Sequence, residues 1–410
     1  MKNITVPLLA TAVVVAIILG GCAAPTGAPP TEPTTPPTAP TTPTEPTEPT
    51  EPEELVFPWE GCFLKPDGSP YRVVFITDQA ANLPMIMHTQ HDQGIIERGG
   101  GEWTLFSADM DVAKQSSALE DQLIAKPDAI ILHPVAADTT IPYVEQGTQL
   151  GIDFYVSMMP PLTLAGALHP DIVGYIGDYQ MSSGIARTEF MLDYFAARGT
   201  KARVLFAWGT YGAGSFCEPV YEAFMATIGN SPLVEVIYET PATDFSMERL
   251  YDATMDAFSA HPDINAIIPC CGMGQQGITN ALQDLGAWFI DSDPNHVFMA
   301  TRDAEPWALE LVKEGYLNSD GDMHIDRYSD TCAKAVWWYT VKGESIASVN
   351  TSEDWMNGQS PGGRRDILMR DDIVMPEDVD AMIAYWEALG DDYYNWPCHE
   401  DEKFIRYPTP

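Results

Sequence analysis

The chain has 410 residues, with 59 acidic against 21 basic side chains and a formal net charge of −38. No basic stripe is available to neutralise phosphates, which excludes a nucleic-acid binder, and the same surplus of carboxylates excludes direct adhesion to anionic lipid. With 45% hydrophobic residues the chain is globular, and its length beyond the N-terminal segments suits two lobes of about 150 residues each.

Lys2 gives a short basic start, residues 6–19 are almost wholly apolar, and Gly20 and Gly21 lead into Cys22. That is a secretory signal whose cleavage leaves Cys22 as the mature N-terminus. An apolar run of about 16 residues is short for a bilayer span of roughly 20. The segment resembles the bacterial and archaeal lipoprotein signal, which implies a lipid on the Cys22 sulfur and an extracytoplasmic body anchored to the cell membrane, periplasmic or at the cell surface. Residues 23–54 are nearly all Pro, Thr, Glu and Ala. Such a segment cannot bury enough apolar surface to fold, so it is expected to be a disordered tether. In the polyproline form roughly 30 residues reach on the order of 90 Å.

From residue 71 short β-rich runs alternate with helical segments. Strands are predicted over 72–77, 103–107, 129–133 and 153–156, with helices over 84–98, 112–125 and 144–150 between them. The order then restarts, with strands over 172–176, 202–207, 233–239, 266–269 and 296–300. The helices of this half are expected over 182–198, 219–228, 247–260, 277–285, 307–314 and 330–341. A late strand over 366–374 precedes a helix over 376–389. This alternation predicts an α/β protein of two doubly wound parallel-sheet lobes, with the carboxyl ends of the strands meeting across a cleft.

Six cysteines remain beyond Cys22. Cys62 and Cys398 bracket the body, so a disulfide clasp between its ends is expected, as an exported chain permits. Cys270 and Cys271 are adjacent and no pair has zinc spacing. His88 and His91 share a predicted helix but lack a third ligand at recognisable spacing. Asp291, Asp293 and Asn295 echo the start of a calcium loop, yet His296 stands where that loop needs Gly and Arg302 where it needs Glu. Neither a Gly-x-Ser-x-Gly turn nor a phosphate-binding loop is present. No catalytic residue, metal or cofactor is predicted, and no enzyme chemistry is expected.

Several stretches carry a resemblance to a known family, in the family's order: 115–134 (QSSALEDQLIAKPDAIILHP), 177–187 (GDYQMSSGIAR), 260–267 (AHPDINAI), 277–282 (GITNAL), 311–317 (LVKEGYL) and 366–380. Over roughly residues 71–374 the chain resembles the type I periplasmic binding proteins of the ribose/galactose-binding family. The resemblance implies two lobes joined by a three-strand hinge: residues 55–173 with about 326–345, and 174–325 with about 364–376. Residues 377–410 are then a C-terminal helix and extension. It also implies capture of a small polar ligand, sugar or sugar-like, by a monomer that delivers it to an ABC permease. Reporting to a chemoreceptor or sensor kinase is the alternative, and a surface enzyme on the same scaffold a weaker one.

Ligand contacts are expected in the loops after strand ends. These are Asp78, Gln79, Asn82 and His133 in the first lobe and Asp178, Trp208, Tyr211, Glu218, Cys271, Gln275, Arg302 and Asp303 in the second, with Asp326 from a later loop. Asp303 falls where the family's hydroxyl-accepting aspartate sits. Three departures stand out. Glu218 replaces an arginine of pentose and hexose binders, Cys271-Gly272 replaces an Asn-Asp pair, and Ala136 replaces a first-lobe aspartate. These departures argue against a plain ribose or galactose binder. Family geometry also places Cys217 beside Cys271, which implies a disulfide between them.

Overall fold

The computed structural model describes residues 59–161, 167–210, 217–348 and 366–396. The leader with Cys22, the tether, Tyr211 and Cys398 lie outside the described residues. Among the described residues no helix is long and apolar enough to cross a membrane.

The first half runs β1 (Arg72–Thr77), α1 (Leu83–Arg98), β2 (Glu102–Ser107), α2 (Val112–Ala125), β3 (Ala129–Leu132), α3 (Ile141–Gln149), β4 (Asp153–Ser157) and β5 (Ile172–Tyr179). The second runs α4 (Gln180–Arg198), β6 (Ala202–Ala207), α5 (Cys217–Ile228), β7 (Val234–Glu239), α6 (Met247–Ala260), β8 (Ala266–Pro269), α7 (Gln275–Asp284), β9 (Phe298–Met299) and α8 (Pro306–Glu314). The chain then continues through β10 (Asp320–Asp322), α9 (Ile325–Tyr328), α10 (Thr331–Val336), β11 (Asp366–Arg370), β12 (Asp372–Val374) and α11 (Val379–Leu389).

Local chemistry sets these boundaries. Asn82 caps α1 by accepting from the Met85 N–H, with Pro84 in the first turn, and Asp111 caps α2 through the N–H groups of Ala113 and Lys114. Gly199 and Gly315 close α4 and α8 in the left-handed conformation. β3 is Ala-Ile-Ile-Leu and wholly buried, as a strand covered on both faces requires.

The six strands of the first sheet lie in the order β11-β5-β4-β3-β1-β2, all parallel, and the second sheet is β7-β6-β8-β9. Val74, Ile76, Ile130 and Leu132 pack with Leu119, Leu123 and Val144 of α2 and α3. Leu205, Ile267 and Met299 do the same with Leu250, Ile278 and Leu282 in the second lobe.

The lobe boundaries differ from the sequence expectation at two places. β5 is the fifth strand of the first sheet, paired with β4 and β11, so the first crossing follows Tyr179 instead of residue 173. The single strand expected over 366–374 is two. β11 belongs to the first sheet, whereas β12 pairs antiparallel with β10. The break falls at Asp371, whose backbone N–H donates to Ser182 Oγ and whose carboxylate accepts from Arg302. β10, Asp-Gly-Asp, has no apolar pattern to announce it; a bridge from Ser319 to Ala300 places it beyond β9. The chain therefore crosses between lobes after β5, after β10 and between β11 and β12, a three-strand hinge.

The C-terminal segment touches both lobes. Lys313 of α8 pairs with Asp380 of α11 at 2.6 Å, and Trp386 packs into the second-lobe core. The turn Tyr393–Asn395 then lies on α1, so close that a Cβ on Gly94 would stand 1.8 Å from the Tyr394 carbonyl oxygen.

Candidate ligand-binding cleft

A cavity of about 50 Å³ lies between the strand ends of the two lobes. Asp78, Asn82, Pro84 and Met85 reach it from the segment after β1, His133 from after β3, and Met158 and Met159 from after β4. Phe245 precedes α6, Cys271 and Met273 lie between β8 and α7, Asp303 follows β9 and Met323 follows β10. Parallel strands bring all these loops to one edge, the position where open α/β sheets bind ligands. By volume the space holds on the order of three or four waters.

Three of the lining residues have left-handed backbones that L side chains rarely adopt: Met158 (φ 63°), Phe245 (φ 57°) and Asp303 (φ 94°). Each costs of order 1–3 kcal/mol, and such strain concentrates at binding and active sites. Gly272 lets the Asp303 loop approach, because a Cβ there would lie 2.1 Å from the Arg302 carbonyl oxygen. Its N–H donates to Asp303 Oδ2 at 3.0 Å.

Asp78 is held by its own loop, with Oδ1 accepting from the Gln79 N–H at 2.6 Å and from Thr77 Oγ1 at 3.0 Å. Its Oδ2 stands 4.0 Å from His133 Nε2. Two amides of the first lobe reach Met273 of the second. Gln79 Nε2 donates to its sulfur at 2.9 Å, and Asn82 Nδ2 lies 3.7 Å away. Burial raises the Asp303 carboxyl to about 6 against the opposing pull of Arg302, and it pushes the Cys271 thiol upward.

Beneath the cavity floor Arg302 is fully buried and ion-paired to Asp178 at the end of β5 and to Asp371 between β11 and β12. Arg187 of α4 donates to the carbonyls of Pro269 and Cys270 at 2.7 and 3.3 Å. Burial lifts Asp371 to about 7 and Asp320 to about 8. This charge cluster ties the hinge crossings to the second lobe.

Of the expected contacts, Asp78, Asn82, His133, Cys271 and Asp303 line the cavity, and Gln79 joins the lobes beside it. Among the described residues the others do not line it. Asp178 and Arg302 are consumed by each other in the hinge. Trp208 stacks among Phe206 and Tyr221, with its Nε1 donating to Glu239 at 3.0 Å, and is a packing aromatic. Glu218 sits half-buried in the first turn of α5. Gln275 is buried at the start of α7, and Asp326 accepts from the Tyr385 hydroxyl.

The disulfide is also corrected. Cys217 is bonded to Cys270, while its neighbour Cys271 is a free buried thiol. Adjacent residues at a strand end point to opposite sides, so only one of the two can face α5. Cys62 carries a free thiol, and Cys398, the other end of the expected clasp, lies outside the described residues.

The residues missed are apolar: Pro84, Met85, Met158, Met159, Phe245, Met273 and Met323. Met158 and Met159 follow shortly after the strand predicted over 153–156, and that position is the available signal. Away from the cavity, His88, Asp92 and Cys332 have ligand atoms within 4.8 Å of one another. His88 Nδ1 contacts the Ser329 carbonyl at 3.1 Å and Nε2 the Ser157 hydroxyl at 3.0 Å, which makes it a structural link between α1, β4 and the segment after α9.

Comparison with known proteins agrees with this geometry. The model of a periplasmic binding protein domain matches residues 95–339. No curated protein matches the chain. Among solved structures, a galactofuranose binding protein superposes with a TM-score of 0.66 at 14% identity, covering 78% of this chain and 100% of its own. An ABC transporter solute binding protein from Bacillus halodurans with bound myo-inositol gives 0.64 at 18% identity, covering 78% and 100%. A periplasmic ribose ABC transporter protein from Conexibacter woesei gives 0.61 at 17%, covering 78% and 97%. At such identities the likeness speaks for the fold alone.

Proposed function

Because this chain belongs to the periplasmic binding protein family, we propose that it is an extracytoplasmic solute-binding lipoprotein that encloses a small polar ligand, sugar or sugar-like, between its lobes. It then presents the closed form to an ABC permease. The observation that carries the reading is the cavity itself, lined from both lobes and bridged by Gln79 and Asn82 against Met273. A ligand that touches both sides only when they are together shifts the hinge equilibrium toward closure. The leader and Cys22 support a lipid anchor, and the acidic Pro-Thr tether supports a body held clear of the membrane.

Thermal denaturation of the protein against sugars, amino sugars and polyols tests the binding step. A true ligand at 100 times its dissociation constant adds about 2.7 kcal/mol. A body that no solute stabilises, and that consumes one instead, ends this reading. Cys22→Ser is expected to release the protein from membranes, read as its transfer to the soluble fraction.

A further inference from the structure

The lining of the cleft is unlike that of a neutral polyol site. Hydroxyl-rich ligands are held by groups that both donate and accept, with aromatic faces against their C–H surfaces. Here five lining side chains are methionines, and Phe245 supplies the aromatic face. The polar lining is rich in acceptors, with the carboxylates of Asp78 from one lobe and Asp303 from the other, and among the described residues no Lys or Arg lines the cavity. The nearby amide donors of Gln79 and Asn82 are turned onto the Met273 sulfur.

Two lining residues carry buried atoms without a hydrogen-bond partner, Asp303 Oδ1 and His133 Nδ1. The Asp303 side chain is only 8% exposed. Its nearest cation, Arg302 Nη1, stands 3.8 Å away, and that guanidinium is already shared by Asp178 and Asp371. A buried carboxylate without a full counter-charge is unfavourable, and a ligand bringing positive charge relieves it. Thioethers are polarisable and adaptable enough to pack around carbon skeletons, and an aromatic face attracts a cation.

We propose that this cleft takes a small organic ammonium whose positive head lies between Asp78 and Asp303 and whose carbons rest on the methionines and Phe245. The proposal rests on the solute-binding reading and names the ligand class of that same site. The small volume suits a head of a few heavy atoms, and a larger skeleton requires the lobes to part.

The test is calorimetric titration of the full chain with ethanolamine, tetramethylammonium and glucosamine, against ribose and myo-inositol as neutral comparisons. At least one ammonium probe is expected to bind, at least tenfold tighter than either neutral solute. Asp303→Asn and, on the opposite lobe, Asp78→Asn are each expected to weaken it tenfold or more while circular dichroism shows both variants folded. Equal affinity in both folded variants overturns the proposal. Binding of ribose or myo-inositol alone overturns it and leaves the solute-binding reading standing. If no probe binds and scattering shows no closure with any solute, both readings fall together.

Discussion

Arg302 and Asp303 are neighbours in the chain, and the left-handed backbone at Asp303 sends their side chains to different places. One locks the hinge; the other lines the cleft. In sequence the two look alike, because a buried ion pair and a ligand contact draw on the same residue types in the same strand-end loops. That is why Asp178 and Arg302 are expected in the cleft by the same reasoning as Asp78, His133 and Asp303, although only the last three line the cavity. The methionines carried no polar signal, and only the strand-end position of Met158 and Met159 marked them.

The same cluster makes a pH prediction. Asp320 accepts from Thr301 Oγ1 and the Gly321 N–H, yet burial raises its carboxyl to about 8. An acid with a raised folded-state pKa favours folding while protonated in both states. That contribution is complete below the unfolded value near 4 and is lost as pH rises toward 8. Asp320→Asn, which cannot ionise, is therefore expected to gain stability relative to wild type as pH rises through this window, by at most about 1.4 kcal/mol per pH unit. Urea unfolding at pH 5 and pH 8 reads the difference. A constant offset at both values would show Asp320 ionised in the folded protein.

At the scale of elements, most strands and helices were legible because apolar runs and helical periods are local properties. β10 was not, since its three residues are held by neighbours rather than by their own pattern. Nor was the division of residues 366–374, because each half pairs with a partner remote in sequence. The disulfide belongs to this scale too. It fastens the start of α5 to the end of β8 across 53 residues. On the chain-entropy view such a loop is stabilised by about 4 kcal/mol, and measured values are commonly 2–4. Cys270→Ser is expected to lower unfolding free energy by that range and Cys271→Ser to leave the disulfide intact. Alkylation of the free thiol without reduction, located by peptide fragmentation, distinguishes them: a free Cys270 beside a bonded Cys271 in the wild-type protein would refute the pairing.

The proposed function requires the lobes to move relative to one another, and the C-terminal segment bears on that movement. α11 is fixed to α8 in the second lobe, while the turn Tyr393–Asn395 is fixed to α1 in the first. Trp396 joins the two attachments, with its ring 6.0 Å from Trp386 and 5.8 Å from His91. Opening the cleft must either carry this segment along or detach it from one side, so its contacts weight the equilibrium toward the closed form. None of this was visible in the sequence, where residues 377–410 read only as a helix and an extension. Trp396→Ala removes the joining ring without touching the cleft. A larger radius of gyration in ligand-free scattering is expected, together with weaker ligand binding, because affinity falls with the fraction of molecules already competent to bind. Unchanged scattering and affinity would mean that the segment follows the lobes passively and that the three hinge strands alone set their balance.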